Sequence, residues 1–595
     1  MISGEPDAVV AAFDRTKAGI VDEVPFIDGR LSFHKPNDSR WAVVAYAAPD
    51  PIAKKRLVMV KTGCIVINGA LLDFDGHRGD AAIQAVAEAL EKEPIEHVYE
   101  RMTGSYAIGG YIRRHGLFGF SDFSGVTPAY TASSDGLTIV GNKPSIVALG
   151  LPTARIDTNA LSWLVGHANI FGPATPIRGV DQIVPESLIR ARNGQRAEKL
   201  ALPRIWPDRG ADLVADLTAA EWDEITHELV ENTRSCLSYF PQARVALTGG
   251  KDSRLVLALT CAVRKRNEIE VFTNGHSDNP DVETAAYIAS QMGIEHRVSA
   301  PGQAAKPDYV RTWDMLVAQN GRFDGIICPW DGRSFDIQGT KLEFTGFGGE
   351  LYRGSHAKQF VKNPPLSIEG AKLAWRNYHQ PFDPLKILRG SYASYQHEWT
   401  NNWVETDPSH ISVLPEKFYV NNRLGYSSGP LMQNVPGRIK LAPLLSRRAA
   451  KLFFRLGRHA RVSEVLIYEV MRRTAPELVK IPFMKQLWSA EVLKRGPDLP
   501  TESFKTSQAP TSQSVAPAQF GFIADQTAAI GAFLRDAASK TALDQIIDVE
   551  RTIKCAHDPE LMKVTVNAKG VYSALSIAHT LTGKRRPARD KVMAA

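Results

Sequence analysis

A strand that runs into two consecutive glycines and restarts at once as a helix leaves a chain few options, and the stretch around residue 250 reads that way. RVALT at 244–248 is a short β-prone run, glycines follow at 249 and 250, and DSRLVLALTCAVRK continues with apolar residues at helical spacing. Backbone amides at such a glycine pair can approach a ligand closely, and the helix N-terminus behind them favours negative charge. The Ser253 hydroxyl adds a donor, so the loop LTGGKDSRL at 247–255 is suited to a phosphate. It is not a Walker A loop, because Asp252 stands after Lys251 where Ser or Thr is required. A carboxylate beside a phosphate points to magnesium. A Gly-Gly turn capped by aspartate has the same local sequence without any ligand, so the glycine pair carries weight only within a larger pattern.

That pattern extends downstream. IEVFT at 269–273, DVETAAYIASQMG and EHRVS repeat the strand, helix, strand rhythm, which predicts a parallel, doubly wound α/β sheet. The first 205 residues differ: RWAVVAYAA, RLVMVKTGCIVINGALL, GSYAIGGYI, HGLFGF and GLTIVGN are short apolar runs between turns, with one long helical pattern at 81–93. They predict an α+β domain of mostly antiparallel strands. LPRIWPDRGAD, with its two prolines and a glycine, reads as a hinge before a helical pattern from about Thr218, so domains are expected at 1–205 and 206–595. Beyond about residue 365 the chain reads as mainly helical, with a mobile loop expected in the Pro/Ser/Thr/Gln stretch 498–519 and a basic end, GKRRPARDK.

Bulk properties narrow the class. With 595 residues the chain exceeds one ordinary domain, and 44% hydrophobic with 23% charged residues excludes a disordered or low-complexity protein. A net charge of +7, from 71 basic and 64 acidic residues, fits a solvated surface better than a nucleic-acid footprint. Acidic residues in MISGEPDAVVAAFDRTK and the lack of any apolar run of about 18 residues predict neither export nor a membrane span. Five scattered cysteines without C-x-x-C spacing predict reduced thiols and a cytoplasmic location.

Taken whole, the strand, TGGKDS and helix pattern resembles the pyrophosphate-binding loop of the ATP pyrophosphatase group, whose reactions yield AMP and pyrophosphate. EFTGFGGELYRG at 343–354 resembles the second glycine loop of asparagine synthetase relatives. The resemblance implies that Asp252 and Glu350 share a magnesium ion on ATP. It further implies that Leu247, Thr248, Gly249, Gly250, Lys251, Asp252, Ser253, Phe272, Thr273, Gly346, Phe347 and Gly348 line the nucleotide. INGALL, MTGSYAIGGY and FSDFSGVTPAYTASSDGLTIVGNKPSIVAL resemble, in order, segments of the class II glutamine amidotransferase domain, an Ntn-type sandwich, so the likeness covers most of residues 30–490. That family uses an N-terminal cysteine, whereas Ile2 follows Met1 here, and the domain is expected to be inactive as a glutaminase.

Two relatives of asparagine synthetase activate a carboxylate and let an amine of the same substrate attack it: β-lactam synthetases and lasso peptide cyclases. TGGKDSR, TNGHSDNPDVETA, GFGGELYRG, PLLSRRAAKLFFRL and RRTAPELVKIPFMKQLW resemble the cyclase versions. The implied activity is ATP-dependent macrolactam formation in a ribosomal lasso precursor peptide, with a leader-binding protein and a leader peptidase as partners. The alternatives are a β-lactam synthetase-like or asparagine synthetase-like ligase on a small amino acid, and a non-catalytic scaffold. Phe347 stands where asparagine synthetases carry a glutamate and β-lactam synthetases a tyrosine, so the base for the amine is open. His276, His356 and His397 lie near the right segments without forming a cluster. A lysine that stabilises the tetrahedral adduct and departing AMP is expected at Lys485, just after the IPF turn, or at Lys480.

Overall fold

The computed structural model describes residues 1–583 apart from 24–29, 39, 48–51, 135, 193–194, 300–312, 329–340, 379–382, 430–437, 485, 497 and 507–521. Two six-stranded antiparallel sheets organise the first third. One runs Val180–Gln182, Tyr130–Ser134, Leu137–Gly141, Ile2–Gly4, Trp41–Ala47, Arg30–His34, and the other Glu198–Ala201, Ser187–Ala191, Gly116–Ser121, Met102–Ile112, Gly63–Phe74, Leu57–Val60. Side chains alternate across each strand and so separate two surfaces. Cys64, Ala107 and Leu117 meet Trp41, Val43 and Val140 between the sheets. Ile65, Ile67, Phe118 and Phe120 face outward onto the helices Asp80–Lys92 and Ile95–Arg101. The outer face of the first sheet is covered by Pro6–Glu23 and Pro144–Leu149. The result is a helix, sheet, sheet, helix sandwich, as the antiparallel α+β expectation requires.

The helix Pro6–Glu23 departs from the expectation of a single long helical pattern in this region. Its buried Val9, Ala12, Phe13, Thr16 and Ile20 do recur at three and four residues, but the intervening acidic and basic residues dilute the apolar stripe.

The helical pattern read from about Thr218 is a helix in the structure. Thr218 caps Ala219–Leu237 in a reciprocal box with Glu221, whose carboxylate accepts from the Thr218 amide at 2.8 Å. Ala243–Ala246, Ile269–Asn274 and Glu295–Ser299 then form a parallel sheet, linked by the helices Lys251–Cys261 and Pro280–Met292. One continuous doubly wound sheet is not what the described residues form. Lys341–Phe344 and Arg438–Leu441 make a separate parallel pair. The pair comes alongside Ala243–Ala246 through side chains, with Phe240 and Phe344 edge to face at 6.3 Å, so the gap is bridged by packing instead of a hydrogen-bond ladder. Strand order nevertheless reverses at Ala243–Ala246, and the loops leaving it and Phe344 emerge side by side, the place where open α/β sheets bind ligands.

The region beyond 365 is mostly helical, interrupted by Arg438–Leu441 and by a π-helical stretch, Tyr419–Ser428. Its last helices, Thr527–Lys540, Val549–Ala556 and Thr565–Leu581, share an apolar core with Leu161, Trp163 and Leu164 from the first third. Ile205 and Trp206, within the expected hinge, are buried, and Trp206 packs on Phe454 at 4.3 Å. Of the expected loop at 498–519, the part to 506 is described: Leu499 is buried and the Phe504 amide donates to the Phe483 carbonyl at 2.7 Å. Residues 507–519 lie outside the described residues, as does the basic end. Among the described residues the five cysteines form no disulfide. No helix among the described residues is long and apolar enough to cross a membrane.

Candidate functional site

The glycine loop is laid out by its own hydroxyls. Ser253 Oγ accepts from the Thr248 amide at 3.2 Å and Thr248 Oγ1 from the Gly250 amide at 3.3 Å, while the Gly249 amide donates to Asp281 Oδ1 at 3.0 Å. Asp281 sits in the first turn of Pro280–Met292, held by its Asn279 cap. A carboxylate on the Gly249 amide fits the anion preference expected of a loop at a helix start.

The second glycine loop packs directly on the first. A Cβ added at Gly349 would lie 2.7 Å from Asp252 Cγ, and one at Gly346 3.3 Å from Val256. Gly348 has φ of +90°, which excludes most other residues. This brings Glu350 close enough to Asp252 to act on its charge. Asp252 Oδ2 pairs with Arg353 at 2.8 Å, and Oδ1 is buried with no hydrogen-bond partner among the described residues. Burial pushes the Asp252 carboxyl up to about 6, with Arg353 opposing and Glu350 and Glu464 adding to the shift. An orphaned carboxylate oxygen beside a second carboxylate fits a hard divalent cation that completes its shell with phosphate and water. Among the described residues no group of three or more His, Cys, Asp or Glu could hold a metal, so these two carboxylates would need the phosphates as further ligands.

The other expected nucleotide residues divide by exposure. Leu247 is fully buried and its amide donates to the Phe272 carbonyl at 2.9 Å. Thr273 is buried, its hydroxyl donating to the Leu247 carbonyl at 2.8 Å with His296 Nε2 at 3.0 Å. Phe272 is half-buried beneath Arg244, and Phe347 packs half-buried on the main core. The ammonium of Lys251 is buried and turned away from the loop mouth: it donates to Glu464 and to the Leu487 carbonyl, the latter at 2.9 Å. Only its backbone amide is left for a phosphate.

Lys251 and Arg254 instead bind the C-terminal segment to the loop. Arg254, fully buried, donates to the carbonyls of Ile481 and Pro482, each at 2.6 Å, with its guanidinium 4.1 Å from the Phe483 ring centroid. Lys251 lies 5.1 Å and 5.2 Å from the rings of Phe483 and Trp488. A Cβ at Gly249 would lie 2.8 Å from Met484 Cβ. Lys485 lies outside the described residues. Lys480 is exposed at the end of the short helix Pro476–Val479.

Sequence reasoning did not single out Asp281, Tyr419 or Glu464. Glu464 is buried at φ of +65° and accepts from Lys251 and Lys358. Burial works to raise its carboxyl, but the two lysines outweigh it and hold the group below the usual carboxylate range. Tyr419 opens the π-helical stretch with its hydroxyl on Glu350 and its ring 4.9 Å from His356. Burial lowers the basicity of His356, with Glu350 opposing. His276 is exposed, and His397 is half-buried on Gly390–Thr406. Asp281 has a local signal, DNPD at a helix start, whereas Glu464 and Tyr419 join the site only through the tertiary fold.

No protein-family model and no curated protein matches the chain.

Proposed function

We propose that the protein is an ATP-dependent, AMP-forming macrolactam synthetase of the lasso peptide cyclase kind, built from an ATP pyrophosphatase-like synthetase half and an Ntn-type sandwich that no longer hydrolyses glutamine. The observation that supports the reading best is the convergence of three separate segments at one point: the loop 248–253, the loop 346–350 carrying Glu350, and residues 481–484 ahead of Lys485. An adenylating amide ligase needs those parts together: amides for a pyrophosphate, carboxylates for its cation, and a cation for the amide-forming step.

In the proposed reaction an Asp or Glu side-chain carboxylate of the core peptide attacks the α-phosphorus of ATP. The bond from that phosphorus to the β-phosphate bridge breaks and pyrophosphate leaves. The peptide's N-terminal amine then attacks the acyl carbon, gives up a proton, and AMP departs as the amide forms. Magnesium, held by Asp252 and Glu350, would neutralise charge on the phosphates. The Lys251 amide would bind the pyrophosphate portion, joined by the Gly249 and Gly250 amides where a phosphate displaces Asp281 and Thr248 from them, and Lys485 would stabilise the tetrahedral adduct. The peptide must be held in its threaded shape until closure, which the fold has to supply by binding. A precursor peptide, a leader-binding protein and a leader peptidase are the proposed partners, in the cytoplasm. The reading is tested by incubating the protein with Mg·ATP and candidate leaderless precursor peptides. AMP, pyrophosphate and a peptide lighter by one water are expected, and formation of ADP and phosphate overturns it.

A further inference from the structure

We infer that Arg254 is a positioning residue: it holds residues 481–484 against the glycine loop, and the amide-forming step of the proposed reaction depends on that seat. The inference rests on the proposed reaction for its catalytic consequence and on geometry for its structural part. Arg254 belongs to the same helix as Lys251, Asp252 and Ser253, so whatever it grips is referenced to the phosphate loop. Its fork donates to two consecutive carbonyls, Ile481 and Pro482, and its plane lies over the next residue, Phe483. A guanidinium satisfies such a fork in a way that a lysine ammonium cannot.

The rest of the clamp agrees with this. Lys251 takes the Leu487 carbonyl on the far side of position 485, and Trp488 is fixed by its indole donating to the Val479 carbonyl at 3.1 Å. The Phe504 amide secures the Phe483 carbonyl. Residues 481–483 therefore lie on contacts from Arg254 and Phe504, and 487–488 on contacts from Lys251 and Val479, while Met484 touches Gly249. A buried guanidinium costs desolvation free energy that a simple apolar contact would avoid, so its use here is explained by the direction that it imposes on the segment.

The test separates the two chemical steps in Arg254→Gln and Arg254→Lys. Misplacing a catalytic group by about 1 Å costs on the order of 10²-fold. Arg254→Gln is expected to lower cyclisation kcat by about 10²-fold, while peptide-dependent ATP–pyrophosphate exchange and the KM for ATP stay within about threefold. Arg254→Lys, which keeps the charge and can reach one carbonyl, is expected to recover part of the loss. Equal loss of both steps, or full activity in either variant, overturns the inference. If Arg254→Gln does not fold, Arg254→Lys decides by the same split. Limited trypsin digestion reads the geometry without turnover: cleavage between 480 and 486 is expected to quicken about tenfold in Arg254→Gln, and an unchanged rate overturns the positioning. Wild-type protein that exchanges no pyrophosphate with any peptide defeats the proposed reaction instead, and the digestion still reads the clamp.

Discussion

Asp252 shows how one side chain can be prepared for two partners. Its Oδ2 is neutralised by Arg353, which keeps a carboxylate tolerable in a buried place, while Oδ1 has no donor among the described residues. Glu350, by contrast, is exposed and contacted by Tyr419, so it can move to meet a cation. Asp252→Asn and Glu350→Gln are each expected to lower magnesium-dependent pyrophosphate exchange by about 10²–10³-fold, the rate equivalent of several kcal/mol of lost charge stabilisation. Exchange at the wild-type rate in either variant would remove that residue from the cation site. Lys485 acts later in the proposed sequence. Lys485→Ala should leave exchange intact and slow ring closure by about 10²–10³-fold, the usual scale for one oxyanion donor. Mass spectrometry of the peptide beside the exchange assay checks it, and a loss confined to Lys480→Ala would move the role to that exposed residue.

Between elements, the decisive contact is the seat of the 346–350 loop on the first turn of Lys251–Cys261, and it depends on the absence of a side chain at Gly349. Gly349→Ala puts a methyl 2.7 Å from Asp252 Cγ, so the loops must separate. Overpacking of this kind costs about 1–3 kcal/mol, and the displaced carboxylates should lower pyrophosphate exchange by about 10²-fold. Thermal unfolding measured beside exchange checks both, and an unchanged variant would mean that the loops do not touch in solution. The same elements show what a sequence discloses. Thr218 with Glu221, and Asn279 and Pro280 with Gly293, mark helix ends because capping is local chemistry, and the strand before Gly249 is a local apolar pattern. Arg254 reads locally as a residue flanking the aspartate, since its carbonyl partners come 227 and 228 residues later. The split between the two parallel ladders was equally hidden, because aromatic packing and a hydrogen-bond ladder between neighbouring strands demand the same apolar sequence.

Across the whole molecule, the sandwich and the second half meet around a buried acid. Glu186 adopts a positive φ of 59°, accepts from the Ile205 amide at 2.6 Å, and lies in the field of Arg204 and, from the second half, of Lys417 and Arg447. Burial pushes its carboxyl up to about 7, with Lys417 and the Ile205 hydrogen bond only partly opposing. An unfolded glutamate titrates near 4.3, so the folded protein holds this proton more tightly than the unfolded chain does. The sign follows from that difference: the contribution to stability is fully present below about pH 4.3 and is lost as pH rises through about 7. Asp122, buried in the same sandwich and raised to about 6, acts in the same direction. A gap of roughly two to three pKa values corresponds to about 3 kcal/mol. Glu186→Gln keeps an oxygen for the Ile205 amide and removes the titration. Its thermal midpoint relative to wild type should therefore improve steadily between pH 5 and pH 8, with most of the change between 5 and 7. Differential scanning calorimetry across that range decides the matter. A midpoint difference that does not vary with pH would show that Glu186 enters the folded state already ionised, its charge compensated by Lys417 and the two arginines.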